Sequence, residues 1–254
     1  MPQDETSMNA EITGAKLELD RLIAIGWDVY RRNFRSILPI VLIIAIPLDL
    51  IRSLIPASES AISAGAHGMG PFTTFSVVME MLFRNISFMA LFMLIDSSVA
   101  GSSRSWNEAF RQALSRWGAS VVTTFLAGLI VTGLTLLLVV PGIVWGVYYI
   151  FFLMAVSVRG LSGKAALDFS KGLVKGQWWR VCGFHLVFLL FYIIFVSAIQ
   201  PLMILLPNVL IVQVATKVIY DLFFAYSQTM AMIFFLNGEA TIRGAERTPD
   251  YSAQ

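Results

Sequence analysis

Four charged residues lie well away from the ends of long apolar runs of the chain, where an unpaired charge is costly. Glu80 and Arg84 lie in one run, and Lys217 and Asp221 lie in the last one. A charge at the centre of a membrane costs about 2.5–3.5 kcal/mol on insertion scales. Each of these side chains therefore needs a partner of opposite charge. Ionisable groups inside a membrane are also candidates for an ion or proton pathway.

Depth along the two runs predicts how the four charges pair. Both runs are expected to cross in the same direction, with Glu80 and Lys217 eight residues from the outer end and Arg84 and Asp221 twelve. Equal depth and opposite sign predict a ladder of two pairs between the helices, Glu80–Lys217 and Arg84–Asp221. The alternative pairs each residue with its i,i+4 neighbour, in the favourable order for Glu80–Arg84 and the poorer order for Lys217–Asp221. A mixed network satisfies both patterns, and we favour a structural role over a transport role.

The apolar runs themselves predict an all-α polytopic membrane bundle with six transmembrane helices. At about 1.5 Å rise per residue, each run can cross all or most of a hydrocarbon core about 30 Å thick. Composition agrees, since the chain is 57% hydrophobic and 13% charged with a mean hydropathy of +0.75. The runs lie near residues 36–55, 72–95, 119–140, 143–158, 181–206 and 209–236.

The basic residues predict the orientation of the spans. Fifteen of the eighteen Lys and Arg residues fall on one side of this six-span pattern, and the other side receives only Arg52. Cytoplasmic loops carry the excess of Lys and Arg, so both termini are predicted in the cytoplasm. The start of the chain is acidic and lacks an early apolar core, so we expect the first span to remain as an uncleaved anchor.

An amphipathic segment precedes each pair of spans and predicts three hairpins, each introduced by an interfacial helix. These segments begin near Leu17, Ser105 and Ser162. Tight hairpin turns are predicted at Pro141-Gly142 and Pro207-Asn208, and a longer first loop from Ala57 to Pro71. The predicted domains are a polar N-terminal tail at 1–15, the six-span membrane domain at 16–236 and a polar C-terminal tail at 237–254.

The third amphipathic segment carries a basic stripe. Lys164, Lys171 and Lys175 recur with helical spacing, and Arg180 follows them. Such a stripe beside a membrane predicts contact with anionic phospholipid headgroups, through one particular lipid or through general attraction to an anionic leaflet.

Motifs of soluble enzymes are absent from the sequence. There is no phosphate-binding glycine-rich loop, no zinc-protease motif, no Cys-x-x-Cys and no nucleophile elbow. The two histidines, His67 and His185, are predicted on opposite sides of the membrane, so they cannot form a metal site. A net charge of +2 gives no reason to expect nucleic-acid binding. The sequence therefore predicts no catalytic residue, no cofactor and no metal.

Short motifs of the chain resemble a known family. They are Ser105-Trp106-Asn107-Glu108-Ala109, Pro141-Gly142-Ile143, and the two runs Ser162 to Ser170 and Leu173 to Val181. Together they resemble the six-span membrane domain fused to some bacterial glycerophosphodiester phosphodiesterases, and its stand-alone YciC-like relatives. The resemblance implies an all-helical bundle in the bacterial cytoplasmic, or inner, membrane. It implies no activity, since the phosphodiesterase domain of the fused members has no counterpart in this sequence.

The sequence thus favours a non-enzymatic multi-pass membrane module that engages lipid or a partner membrane protein in envelope homeostasis. The first alternative is a small transporter or channel that uses Glu80, Arg84, Lys217 and Asp221. The second alternative is a lipid-modifying membrane enzyme.

Overall fold

The structure is a computed structural model that describes residues 10–12, 14, 16–53, 71–205 and 209–247. These residues are almost entirely helical, and no strand occurs among them. Besides one turn at residues 10–12, they contain eight helices, which we number in chain order. They are α1 Leu19–Ser53, α2 Pro71–Val99, α3 Trp106–Leu137, α4 Val139–Tyr148, α5 Phe152–Arg159, α6 Gly163–Val174, α7 Trp178–Leu205 and α8 Leu210–Arg247.

Five helical stretches of the described chain are long and apolar enough to cross a membrane, so the structure is compatible with a multi-pass membrane protein. The predicted first span, at 36–55, falls on the second half of α1 and ends outside the described residues. The five stretches are Val77–Val99, Trp106–Leu137, Val139–Arg159, Trp178–Pro201 and Ile211–Gly244.

Two of the three predicted interfacial helices are not separate elements. The amphipathic segments near Leu17 and Ser105 continue into α1 and α3 without a break. In α1 the helix continues even through Pro39, three residues into the predicted span, and in α3 no proline interrupts it. The third segment does form a separate helix, α6. It is set apart because Gly160, at φ +68°, ends α5 in the left-handed conformation that suits glycine.

The reversal between α3 and α4 lies at Leu138, whose backbone is extended (φ −156°, ψ 129°). The predicted turn at Pro141-Gly142 is therefore wrong, and both residues lie in the first turn of α4. Proline is tolerated there because N–H groups of the first turn have no partner within the helix. A Cβ on Gly142 would lie 2.9 Å from the Cα of Thr135, so glycine allows the two helices to approach. The predicted turn at Pro207-Asn208 and nearly all of the first loop lie outside the described residues.

The fourth predicted span is broken at residues 149–151, between α4 and α5. Ser170 of α6 is fully buried beside this break. Its hydroxyl donates to the carbonyl of Tyr148 (2.8 Å) and accepts from the N–H of Phe151 (3.1 Å). Backbone groups shielded from water need partners within the protein. Ser170 supplies them on both sides of the break.

The centre of the bundle is α2, which packs against α1, α3, α5 and α8. Its residues from Met89 to Ile95 are all buried. The first and last helices pack closely, since a Cβ on Gly26 would overlap the side chain of Met230. In contrast, α7 leaves seven large apolar side chains exposed among its described residues. The last helix therefore packs more closely against α1 and α2 than against α7, its partner in the predicted third hairpin.

Residues that were predicted to lie in polar tails belong to the bundle. Ile12, in the predicted tail 1–15, is fully buried. Residues 237–247 continue α8 beyond the predicted boundary at 236. Asn237 is 1% exposed; it accepts from the N–H of Leu17 (3.1 Å) and donates to the carbonyl of Ile12 (2.8 Å). This side chain fixes the start of the described chain against its last helix.

We predict that Ser170→Ala destabilises the protein by about 1–3 kcal/mol, because it leaves two buried backbone groups without a partner. The measurement is the unfolding midpoint of the purified protein in detergent. Ser162→Ala is the matched control, since the Ser162 hydroxyl is exposed and caps no helix. Equal midpoints for wild type and Ser170→Ala would show that the break does not depend on this hydroxyl.

Candidate functional site

The four charged residues singled out in the sequence meet in one network between α2 and α8. Arg84 Nη1 lies 2.6 Å from Asp221 Oδ1, and Arg84 Nη2 lies 2.6 Å from Glu80 Oε1. Lys217 Nζ lies 3.2 Å from the same Glu80 oxygen. Both pairs of the proposed ladder are present in the structure, and so is the local Glu80–Arg84 pair. The four residues therefore form the mixed network, with ion pairs both between α2 and α8 and within α2.

Arg84 is the centre of this charge network. Its planar guanidinium carries donors on more than one edge, which lets it bind one carboxylate on its own helix and one on α8. Asp221 is the most buried member, with 9% of its side chain exposed. A buried charge is tolerated when opposite charges and hydrogen bonds offset its lost hydration. Two cations and two carboxylates cancel here, so the network joins two helices far apart in sequence without a net charge.

One carboxylate oxygen of the network keeps no partner. Asp221 Oδ2 is buried and forms no hydrogen bond with any described residue. Asp221 also lines a cavity of about 20 Å³ together with Arg84, Ser87 and apolar side chains of α1. A cavity of this size holds roughly one water molecule. The arrangement therefore leaves room for a single water at the level of the ion pairs.

Three of the four predicted lipid-contact residues lie on the surface of α6 or at its end. Lys164 and Lys175 are exposed. The ammonium of Lys171 lies 4.3 Å from the centre of the Trp145 ring, a distance typical of a cation–π interaction. Trp179, at the start of α7, is 81% exposed. Exposed cations and an exposed indole therefore lie within one short stretch of the chain.

Arg180, the fourth predicted lipid-contact residue, is partly buried and makes contacts within the bundle. Its guanidinium donates to the carbonyl of Leu17 and to Gln177 Oε1 (3.2 Å), and it lies 4.8 Å from the centre of the Phe234 ring. The Leu17 carbonyl can accept this bond because residues 16–18 are not helical. Arg180 thus fastens the N-terminal segment to the bundle.

A second cluster of charges, which the sequence analysis missed, joins α2, α5 and α8. Arg159 Nη2 lies 2.6 Å from Glu239 Oε2 and 3.5 Å from Asp96 Oδ1, and Arg243 pairs with the other oxygen of Glu239. The same depth argument that paired the first network could have found this one, because Asp96 and Arg159 both end predicted spans. Glu239 escapes that argument because the predicted boundary at 236 puts it in the C-terminal tail. We call this end of the bundle, with α6 and the loop between α2 and α3, the basic end.

His185 is held by contacts within the bundle. Its Nδ1 lies 2.9 Å from the carbonyl of Val181, and its ring packs edge-on against Phe151 and Phe184. In the part of the chain that the structure describes, no group of three His, Cys, Asp or Glu residues could hold a metal ion.

We predict that Arg84→Met destabilises the protein by about 3–5 kcal/mol, because it leaves the buried carboxylate of Asp221 without its ion-pair partner. Adding Asp221→Asn should recover most of this loss, since Glu80 keeps Lys217. The measurement is the unfolding free energy in detergent for the two single variants and the double variant. A charge swap of Glu80 and Lys217 is less informative, because a lysine at position 80 would lie beside Arg84. If the double variant is as unstable as Arg84→Met, the pairing does not stabilise the fold.

Comparisons with protein-family models, with curated proteins and with solved structures found no match to this chain. The geometry of the two charge clusters and of the basic end is therefore the basis for the functional proposals.

Proposed function

We propose that this chain is a six-span module of the bacterial cytoplasmic membrane that holds anionic phospholipid at its basic end without catalysing a reaction. In this proposal both termini lie in the cytoplasm and the basic end faces the inner leaflet. The distribution of Lys and Arg supports this orientation. The resemblance of residues 105–109 and 162–181 to the YciC-like membrane domains supports the same assignment.

Besides the five apolar stretches, a six-span module needs one more span. This is the predicted first span, which falls on the second half of α1. Residues 37–48 carry no charged side chain, and Ile37, Ile40 and Val41 are buried against the bundle. A helix of this composition, packed against α2, α3 and α8, suits the apolar interior of a membrane bundle. An even number of spans also places the basic residues at 16–35 and at 243–247 on one side.

One observation carries the lipid part of the proposal: Lys164 and Lys175 are exposed at the two ends of α6, and the exposed Trp179 follows shortly after Lys175 in the chain. Tryptophan prefers the boundary between membrane and water because its ring is apolar and its N–H is polar. Basic residues at this boundary attract anionic headgroups by about 1 kcal/mol each. The exposed lysines of α6 and the exposed indole of Trp179 therefore suit the headgroup region of an anionic leaflet.

We predict that Lys164→Gln/Lys175→Gln weakens the retention of phosphatidylglycerol over phosphatidylcholine by about 2 kcal/mol, or roughly thirtyfold. The measurement is native mass spectrometry of the protein extracted from vesicles that contain both lipids. Lys164→Arg/Lys175→Arg is the matched control, because it keeps both charges and should retain the lipid. Unchanged retention in the glutamine variant would refute a lipid role for α6.

A specific observation also favours a second candidate function, proton-coupled transport through the charge network. The unpartnered oxygen of Asp221, beside a cavity that fits a water molecule, suits a group that gains and loses a proton.

For this second function, we predict that Asp221→Asn abolishes proton flux into proteoliposomes while the protein remains folded, because an amide cannot carry the proton. Flux is followed with a pH-sensitive dye inside the vesicles, and unfolding in detergent checks the fold. Wild-type protein that supports no flux above empty vesicles would exclude this function and leave the network a structural role.

A further inference from the structure

A second polar surface of the basic end is a pocket between α1, the end of α2 and the loop that leads to α3. Its volume is about 310 Å³, at the lower end of the roughly 300–1,000 Å³ typical of ligand pockets. Most of its lining is polar, and the lining contains two arginines and no carboxylate. The polar side chains include Arg32, Asn33, Ser36, Ser102, Ser103 and Arg104.

Hydrogen bonds fix the walls of this pocket. Asn33 Nδ2 donates to the carbonyl of Val29 and to Ser98 Oγ, both at 2.9 Å, and so ties α1 to the end of α2. The Ser102 N–H and hydroxyl both donate to the carbonyl of Ser97, at 2.9 and 3.1 Å. Gly101, at φ +71°, allows the chain to turn there. Contacts within the protein therefore fix the walls of the pocket.

The two arginines bring positive charge that their own partners only partly cancel. Arg104 Nη1 donates to Gln112 Oε1, which is a neutral amide. Arg32 pairs with Asp28 at 2.7 Å, and the same carboxylate also pairs with Arg31, so its single negative charge does not neutralise both cations. Asp96 is close enough to Arg104 for an electrostatic attraction, yet its ion pair is with Arg159. A net positive potential remains in the pocket.

We propose that this pocket binds a phosphate group, either of a phospholipid headgroup or of a small soluble phosphorylated molecule. Guanidinium forks match the geometry of phosphate oxygens, and the hydroxyls of Ser36 and Ser103 line the same pocket and can donate to them. Basic pockets between membrane helices on the cytoplasmic side are suited to phospholipid headgroups. The site is separate from the lysines of α6, so it stands independently of the lipid role proposed for them.

The test measures binding of two probes to full-length protein in nanodiscs of phosphatidylcholine. One probe is inorganic phosphate, and the other is short-chain phosphatidic acid, which carries a phosphate headgroup. We expect Arg104→Gln to weaken binding at least about tenfold, the typical effect of losing a charge-assisted hydrogen bond. Ser103→Asp should weaken it similarly, because it adds a negative charge while both arginines remain. Unfolding midpoints show that the variants are folded.

Arg111→Gln is the matched control, since Arg111 is an exposed arginine of α3 outside the pocket. Binding of phosphatidic acid alone assigns the pocket to a lipid headgroup, and binding of both probes assigns it to a free phosphate as well. The proposal is overturned if neither probe binds, or if Arg111→Gln weakens binding as much as Arg104→Gln. Lys164→Gln/Lys175→Gln should leave this binding unchanged, which separates the pocket from α6.

Discussion

Polar groups that cannot reach water must find their partners inside the protein, and this constraint orders the whole bundle. Arg84 satisfies carboxylates on two helices at once. The hydroxyl of Ser170 completes the backbone where the fourth apolar stretch is broken. Asn237 binds the backbone of a segment more than two hundred residues earlier. Each of these groups would destabilise the fold if it were buried without a partner. Because its partner lies on another element, each group fixes the relative position of two elements that apolar packing alone would allow to slide.

The same constraint explains why the first and last helices lie together. Apolar contacts such as Gly26 with Met230 bring α1 and α8 close, but lipid chains offer a helix almost equally favourable apolar contact. Ion pairs and buried hydrogen bonds cannot be replaced by lipid in this way. The clusters around Arg84 and Arg159 both join α8 to α2, and the Tyr30 hydroxyl of α1 donates to the carbonyl of Leu222 in α8 (3.1 Å). In contrast, α7 leaves several large apolar side chains exposed.

Positive charge at the basic end serves two different surfaces. On α6, Lys164 and Lys175 are exposed and suit the broad attraction of an anionic leaflet. Between α1 and the loop before α3, Arg32 and Arg104 line a preformed pocket with serine and asparagine side chains. An exposed lysine is a mobile point charge, while an arginine held in a pocket can impose geometry on its ligand. The first surface favours association with a membrane, and the second favours recognition of one chemical group.

Hydropathy and charge along the chain determined that this protein is a bundle of apolar helices, and the depths of Glu80, Arg84, Lys217 and Asp221 sufficed to propose their pairs. Depth along a helix is local information. Only the tertiary structure decided the break at 149–151, the reversal at Leu138 and the contacts of Arg180 within the bundle. It also brought together Asp96, Arg159 and Glu239, and the walls of the pocket between α1 and the loop before α3. Such contacts depend on how helices rotate and cross, and hydropathy does not specify either.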